Sequence, residues 1–354
     1  MFGFMIYFDN AATTPLCDAA KEILQQDFGN PSSPHVFGLD AERAVKNAAK
    51  SLSGILSCRS DEIVFTSGGT ESNNLGILGA AFGLKSARGR NRNLHILASN
   101  QEHPSVIEPL NYLASLPGYS VTYAALSEFQ SHICKDTAMI CITHVSSEIG
   151  DILEFERIPG VLMFVDGAQG FCKIQMPSWA DIYSFSGHKF HGPMGVGGLM
   201  VRKGIRMQPL MYGGGQQKKL RPGTENVPGI LAMAAAANES RNADYEKVKK
   251  IKKFFFGLGE ENRITEMTSP YILNLSFPGI RGEVLTSLLS SHGVMVSMGT
   301  ACRTAKKESA LQTMGFSRDR AESAIRLSFS NMNTIEEARQ AKEIIQKCVV
   351  ELKF

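Results

Sequence analysis

The chain has 354 residues, which is enough for one large domain and a smaller one, each with its own core. Its 43% apolar and 20% charged residues are ordinary for a globular protein, and a net charge of +3 favours neither a nucleic-acid-binding nor a membrane-surface protein. No apolar run reaches the roughly 18 residues of a membrane span, and the start lacks the features of a signal peptide; seven scattered cysteines without CxxC spacing predict reduced thiols in a cytoplasmic protein.

Strands and helices alternate in the first two thirds of the chain. Residues 39–56 have the spacing of an amphipathic helix, and a helix opened by Ser105, with Glu108 completing a capping box, follows the second strand. This alternation predicts an α/β fold with a mostly parallel, doubly wound sheet, although the connections at 127–137 and 151–160 are too short for the usual helices. The strands are predicted at residues 63–65, 95–98, 121–126, 138–145, 161–165, 182–185 and 198–201.

The last third predicts a smaller α+β domain. Strands at 271–277 and 324–330 flank a helix at 282–292, and Thr334 with Glu337 has the pattern of a capping box for a final helix. We place the large domain at residues 14–230 and assign residues 1–13 and 231–354 to the small domain.

A glycine pair stands where the strand at 63–65 runs into a helix, in the segment Thr66-Ser-Gly-Gly-Thr70. Free backbone N–H groups at a helix start, with Gly69 allowing close approach, are typical of an anion site. A simple N-cap role for Thr70 is compatible with this. The segment is not a P-loop, because no Lys-Ser or Lys-Thr follows at the required place.

Two strand ends carry residues suited to cofactor chemistry. Lys189 follows the strand at 182–185, between the hydroxyl of Ser186, the imidazole of His188 and a glycine-rich run, which is typical of a Schiff-base lysine beside a phosphate cradle. A surface lysine in a loop is the alternative. Asp166 ends a buried strand, where open α/β sheets bind ligands, and a carboxylate there can keep the ring nitrogen of pyridoxal phosphate protonated.

Other single residues permit two interpretations each. His103 is either a loop histidine or a group that moves protons. Arg326 lies in an apolar strand and needs a carboxylate partner, either an internal Glu or a bound substrate. A metal site at His188 and His191 lacks acidic or thiol ligands at matching spacing, so we predict no metal.

Several motifs occur in one order along nearly the whole chain, and together they resemble the fold-type I pyridoxal phosphate enzymes. Within these, the cysteine desulfurases of the class V aminotransferase group are the most similar. The motifs are Phe8-Asp-Asn-Ala-Ala-Thr-Thr-Pro15, Gly29-Asn-Pro-Ser-Ser33, Thr66-Ser-Gly-Gly-Thr-Glu-Ser-Asn-Asn74, Glu102-His103, Asp166-x-x-Gln169, Ser186-x-His188-Lys189, Arg221-Pro-Gly-Thr-Glu-Asn226 and Ala301-Cys302.

This resemblance implies a pyridoxal 5'-phosphate enzyme that converts L-cysteine to L-alanine. Lys189 would bond to the cofactor and move the α-proton, while the Cys302 thiolate would take the sulfur as a persulfide and pass it to an acceptor protein, as in iron–sulfur cluster assembly. Arg326 would bind the substrate carboxylate, with Asn30 near the substrate. The implied cofactor contacts are His103 stacked on the ring, Asp166 at its nitrogen, Gln169 and Ser147 at the phenolic oxygen, and Gly69, Thr70, Ser186 and His188 at the phosphate.

The resemblance also implies a homodimer, because the residue corresponding to Thr224 reaches the phosphate of the other subunit. Two segments depart from the family pattern: Ser146-Ser147 replaces an Asn pair, and the segment after Cys302 is more basic than usual. The alternatives are a selenocysteine lyase, another class V reaction, or a phosphate-binding scaffold without enzymatic activity.

Overall fold

A computed structural model describes residues 5–88, 93–298 and 309–353. The chain divides into a small unit, formed by Met1–Thr14, Val145–Ile152 and Ala243–Phe354, and a large unit, formed by Pro15–His144 and Leu153–Asn242. The predicted boundary at residue 230 places most of the helix Val227–Ser240 in the small domain. In the structure this helix lies in the large unit, because it packs against the helices Asp18–Leu24 and Val36–Ile55.

The secondary structure alternates as predicted in the first part of the chain. The strands are β1 (Ile6–Tyr7), β2 (Ile63–Thr66), β3 (Leu94–Ser99), β4 (Tyr119–Ala124), β5 (Thr137–Thr143), β6 (Leu162–Asp166), β7 (Ile182–Ser186), β8 (Gly197–Val201), β9 (Glu260–Glu261), β10 (Ile272–Ser276), β11 (Val294–Met295), β12 (Ser297–Met298) and β13 (Ala324–Ser328). The helices are α1 (Asp18–Leu24), α2 (Val36–Ile55), α3 (Gly69–Asn74), α4 (Ala80–Arg88), α5 (Pro104–Ala114), α6 (Phe129–His132), α7 (Val227–Ser240), α8 (Tyr245–Lys253), α9 (Gly282–Ser291), α10 (Ala310–Thr313), α11 (Arg318–Glu322) and α12 (Ile335–Glu351).

The large unit is built on a seven-stranded sheet with the order β2-β8-β7-β6-β5-β3-β4. The pairs among β7, β6, β5, β3 and β4 are parallel, while β8 runs antiparallel to both of its neighbours. The prediction of a mostly parallel sheet is therefore confirmed. Because β6 and β7 run the same way, their carboxyl ends lie at the same edge of the sheet.

Helices cover both faces of this sheet. Tyr183 and Phe185 of β7 pack into a core with α1, α2 and α7, whereas Ile182 packs into a second core with α5 and the helical segment that contains α3 and α4. Alternate residues of one strand thus enter opposite cores, which is the period-2 pattern of a doubly wound sheet.

A glutamine side chain lies against the β2 edge of the sheet. The Nε2 of Gln217 donates to the backbone carbonyl of Phe65 at 2.9 Å, and its Oε1 accepts from the backbone N–H of the same residue. Gln217, Lys218 and Lys219 all have positive φ, at 45°, 60° and 64°. Three successive non-glycine residues in this region cost conformational energy that the surrounding contacts must offset.

The small unit contains an antiparallel sheet with the order β12-β13-β10-β9, and β1 pairs in parallel with β11. Its core joins apolar residues of these strands to α8, α9 and α12. Thr334 caps α12 and forms a capping box with Glu337, which confirms that prediction.

One predicted helix start is wrong. The helix expected to open at Ser105 is α5, whose N-cap is His103: its side chain accepts from the backbone N–H of Ser105, so the imidazole does the capping. The connection at 127–137 holds only the short α6 and a 3₁₀ turn, and residues 153–160 form no helix, as predicted from their length. Among the described helices, no segment combines the length and hydrophobicity that a bilayer crossing requires.

Candidate active site

Asp166 ends β6 as a buried carboxylate that is 4% exposed. Its Oδ1 accepts the backbone N–H of Ala168 at 2.9 Å and the hydroxyl of Ser184 at 3.4 Å, and its Oδ2 accepts from Nδ2 of Asn73 at 2.8 Å. A buried carboxylate that accepts from three donors is held in place as an acceptor.

A glycine pair from one strand end meets Ser186 from another. Gly68 is the N-cap of α3 and has a φ of 150°, which side chains rarely adopt. A Cβ on Gly69 would lie 3.4 Å from Cβ of Ser186, which places the start of α3 directly beside the end of β7. The N-cap contributes no side chain to the first N–H groups of the helical segment. This start suits an anion. The alternative role of Thr70 as the N-cap is excluded, since Gly68 is the N-cap and Thr70 is the second residue of the helix.

Lys189 follows β7 at the end of a 3₁₀ turn, Gly187–Lys189. Its charge acts on three groups of the large unit, namely His103, His188 and Lys173. The pKa of His188 falls to about 4, first because of burial and then because Lys189 and Lys173 repel its protonated form. The imidazole beside Lys189 is therefore neutral near physiological pH.

The imidazole of His103 is linked to Asp166 through two side chains. Its Nδ1 accepts from the backbone N–H of Ser105 at 3.1 Å and lies 2.8 Å from the Ser105 hydroxyl, which is 2.8 Å from Nδ2 of Asn73. Burial lowers the pKa of His103; the carboxylate of Asp166 acts in the opposite direction, and the charge of Lys189 lowers the pKa further.

The chain after Asp166 turns twice and brings a second lysine to the site. Nζ of Lys173 donates to Oε1 of Gln169 at 3.4 Å. The pKa of Lys173 falls to about 7, because burial and then the charge of Lys189 disfavour its ammonium form. Cys172, just before it, has a positive φ of 61° and directs its thiol to the carbonyl of Ala237. The left-handed residue separates the two side chains, with the thiol facing α7 and the amine facing Gln169.

The Arg221–Asn226 motif is attached to the glycine-pair helix. Nε and Nη2 of Arg221 contact the two carboxylate oxygens of Glu71 at 2.8 and 3.3 Å. Such a forked pair is directional as well as attractive. Thr224, three residues further on, is exposed.

In the small unit, Arg326 lies in β13 with only 8% of its surface exposed. Its Nη1 donates to the carbonyl of Ser147 at 2.9 Å and lies 3.7 Å from Oε1 of Glu148, and its Nη2 lies 3.4 Å from Oδ1 of Asp9. The structure thus brings Ser147 and Arg326 together and pairs the guanidinium with internal carboxylates, which was one of the two predicted solutions.

The structure adds little about two of the predicted site residues. Asn30 is exposed, and its Oδ1 accepts from the backbone N–H of Ser32 at 3.0 Å, within its own turn. Cys302 lies outside the described residues. Across the described ranges, no three His, Cys, Asp or Glu side chains converge as metal ligands would.

The large unit thus assembles most of the predicted cofactor residues, and it adds three that were not predicted: Asn73, Ser105 and Lys173. Asn73 is four residues beyond Gly69, so the helical spacing could have placed it on the same face. Lys173 follows the apolar pair Phe171-Cys172. A lysine in an apolar run is a candidate site residue, because lysines are rarely buried unless they are paired.

Comparisons with known proteins agree with this arrangement. The model of the family "Aminotransferase class-V" matches residues 6–340. The chain is 33% identical to a cysteine desulfurase IscS from Dictyoglomus turgidum, over 98% of this chain and 95% of that protein. It is 36% identical to a NifS/IcsS protein homolog from Lactobacillus delbrueckii subsp. bulgaricus, over 94% of each chain.

Solved structures show the same likeness. A NifS-like protein superposes with a TM-score of 0.87 at 32% identity, covering 98% of this chain and 100% of that one. The protein SspA, solved in complex with cysteine, gives a TM-score of 0.79 at 28% identity, covering 92% of this chain and 99% of that one. The family match spans both units, and the relatives cover nearly the full chain. The chain therefore belongs to the aminotransferase class-V family and, within it, to the cysteine desulfurases.

Proposed function

We propose that this chain is a pyridoxal 5'-phosphate-dependent enzyme that converts L-cysteine to L-alanine and retains the sulfur as a persulfide on Cys302. The observation that carries the proposal is the buried, donor-held carboxylate of Asp166 at the edge of the sheet where Lys189 also lies. Enzymes of the class V family use this cofactor, and the names of the relatives supply the substrate.

The residues of the large unit fit the cofactor. Asp166 would hold the ring nitrogen, and Gly69 with Ser186 and His188 would form a phosphate cradle at the start of α3. A Cβ on Gly69 would lie 3.4 Å from Cβ of Ser186, so the two residues are near neighbours in this proposed cradle. Thr70 would add a hydroxyl to the cradle, and Thr224 of a second subunit would complete it in a homodimer.

Pyridoxal phosphate, when bound, supplies an aldehyde for the substrate amine and a ring that withdraws electrons from the substrate α-carbon. Lys189 would hold the cofactor and accept the α-proton at Nζ. His103 would cover the ring as a neutral imidazole, in line with its lowered pKa, which burial causes first. Gln169 would donate from its amide nitrogen to the phenolic oxygen, with Ser147 as a second contact.

Substrate binding and sulfur transfer would use the other predicted residues. Arg326 would bind the substrate carboxylate with its fork of N–H donors, and Asn30 would lie near the substrate. The Cys302 sulfur would bond to the substrate sulfur as the Cβ–S bond breaks, so that one thiol and one cysteine become one persulfide and one alanine. The acceptor protein, the pathway it serves and the cytoplasmic location stay predictions.

The test is product analysis with L-cysteine for three variants. Cys302→Ala should keep the visible spectrum of the bound cofactor and lose about 10²-fold or more of alanine formation, because the covalent route is removed. Cys302→Ser should be no better, since a hydroxyl cannot hold a persulfide. Lys189→Ala should bind the cofactor only non-covalently and lose turnover.

Cys134→Ala is a matched control. Cys134 is an exposed thiol whose pKa is lowered because the Thr137 hydroxyl donates to its sulfur. If the removal of any exposed thiol lowered activity, this variant would lose it as Cys302→Ala does; we expect the native rate. Alanine formation at the native rate by Cys302→Ala would instead assign the chain another class V reaction. A colourless protein that cannot be reconstituted with pyridoxal phosphate would overturn the cofactor assignment.

A further inference from the structure

Asn73 is the buried centre of a hydrogen-bond chain in the large unit that runs from the buried Asp166 to the exposed His103. Its side chain is 1% exposed, and its Nδ2 lies 2.8 Å from Oδ2 of Asp166 and 2.8 Å from Oγ of Ser105. The Ser105 hydroxyl in turn lies 2.8 Å from Nδ1 of His103. Four side chains from α3, β6, α5 and its N-cap are thus connected in one line.

The direction of each bond follows from the groups involved. An amide nitrogen only donates, so both N–H groups of Asn73 are used, one for Asp166 and one for Ser105. Reversing the amide would set its oxygen against the Asp166 carboxylate. The amide oxygen is buried and has no hydrogen-bond partner among the described residues. Burying this oxygen without a partner carries a desolvation cost, and the fold tolerates that cost while it keeps both N–H contacts of Asn73.

The same reasoning fixes the proton on His103. The Ser105 hydroxyl accepts from Asn73, so its own proton is available for Nδ1 of His103. The backbone N–H of Ser105 also donates to this nitrogen, at 3.1 Å. Because Nδ1 accepts from both donors, the neutral ring carries its proton on Nε2.

We propose that Asn73 and Ser105 are positioning residues that hold His103 in the Nε2–H form and tie its ring to the carboxylate of Asp166. The inference rests on the proposed function, in which Asp166 and His103 both contact the cofactor. The chain would make the group at the ring nitrogen and the group over the ring face move as one unit, so that a loss at Asn73 loosens both.

The charged groups that face His103 are Asp166 and Lys189, which act on its protonation in opposite directions. Glu102, although adjacent in sequence, acts on Asp166 rather than on His103: its Oε1 accepts from the Ser99 hydroxyl and from the backbone N–H of Thr143, and burial first and then the charge of Asp166 raise its pKa. A new carboxylate at residue 73 would therefore act directly on His103 and Asp166.

The direct test is NMR of the imidazole nitrogens in the full-length chain, with and without added pyridoxal phosphate, with the His103 signals assigned by loss in His103→Gln. The unliganded wild type should show the Nε2–H form. Finding the Nδ1–H form would overturn the proposal whatever the variants do. This result is independent of cofactor binding and of the substrate, so it stands apart from any failure of the proposed function.

Variants then test the chain itself. Asn73→Asp places a second carboxyl against the carboxylate of Asp166, and the two share one proton. The Ser105 hydroxyl then turns from Nδ1 of His103 to the new carboxyl, which should give His103 about tenfold higher proton affinity. The matched control is Asn74→Asp, which adds a carboxyl at a less buried side chain bonded to the Thr70 carbonyl; it should leave His103 unchanged. If both variants changed the proton affinity of His103 equally, the change would be a general effect of an added carboxyl, and the proposed hydrogen-bond chain would be refuted.

A double-mutant cycle measures the coupling. Asn73→Ala should weaken pyridoxal phosphate binding by about tenfold, and Asn73→Ala/Ser105→Ala should be no weaker, because both changes cut the same chain. Additive losses in the double variant would contradict the proposal. If the Asn73 variants do not fold, Ser105→Ala still tests the proposal. It should weaken the preference of His103 for the Nε2–H form and leave the thermal stability unchanged. A loss of thermal stability with no change in the tautomer would indicate a merely structural role and contradict the proposal.

Discussion

Gly170→Ala offers a strong test of how the turn after Asp166 is packed. A Cβ on Gly170 would lie 2.1 Å from Nδ1 and 2.7 Å from Cγ of His144, so the whole ring would have to move. That nitrogen is 2.9 Å from the hydroxyl of Tyr183, and both rings are buried. Burial lowers the pKa of His144 to about 4, so the ring is neutral at neutral pH in its native position.

The expected loss has two parts. Overpacking of a filled core costs about 1–3 kcal/mol, and leaving a buried hydrogen-bonding pair without partners costs about 1–3 kcal/mol. Gly170→Ala should therefore lower the free energy of unfolding by about 2–6 kcal/mol. Gly54→Ala is the matched control: Gly54 lies within α2 with nothing within 4 Å of an added Cβ, so it should stabilise the chain by about 0.5–1 kcal/mol.

Urea-induced unfolding followed by tryptophan fluorescence measures this difference. The chain has one tryptophan, Trp179, which belongs to the large unit, so the signal reports the unit that contains both glycines. A Gly170→Ala midpoint equal to that of Gly54→Ala would refute the packing argument.

Three further substitutions test charges described above. Lys173→Met removes an ammonium whose pKa is about 7 because of burial and then the charge of Lys189. In the unfolded chain this lysine stays protonated up to about pH 10.4. Lys173→Met should therefore be more stable than wild type at neutral pH, and the stability difference should shrink as the pH rises toward about 10.4. Thermal melts across pH measure this difference, and a difference that does not change with pH would contradict the reasoning. The pKa of Glu71 is lowered, since burial raises it but hydrogen bonds from Arg221 and the Ser67 backbone outweigh burial, so Glu71→Gln should be less stable than wild type above about pH 4.3, with the difference lost in melts at lower pH. Arg326→Lys should raise KM for L-cysteine about tenfold or more in steady-state alanine assays, because an ammonium cannot make forked contacts; an unchanged KM would remove Arg326 from the site.

Most strands of the large unit could be predicted because they are buried on both faces and therefore appear as short apolar runs, although β4 at the edge is only half-buried. Two features could not be predicted: the antiparallel direction of β8, and the assignment of Val145–Ile152 to the small unit. Each depends on which distant segment of the chain these residues pair with. The start of α5 was wrong for a local reason: an imidazole took the capping role that a serine usually has.

The site shows the same division. Asp166 and Lys189 could be predicted because a polar residue at the end of an apolar strand is visible in sequence. Helical spacing places Asn73 on the same face as Gly69, but its contact with Asp166, 93 positions away, could not be predicted. Lys173 was visible as a cation in an apolar run, but its effect depends on Lys189, which a different strand positions.

Gln217 has a consequence for how the protein behaves at high concentration. The edge of a sheet presents unpaired N–H and C=O groups that can recruit a strand from another molecule and start aggregation. At Phe65 both backbone groups are already taken by one side-chain amide. A foreign strand would have to displace Gln217 before it could extend the sheet at β2. The left-handed backbone at residues 217–219 thus holds an amide over one edge of the sheet, where it limits the addition of a further strand.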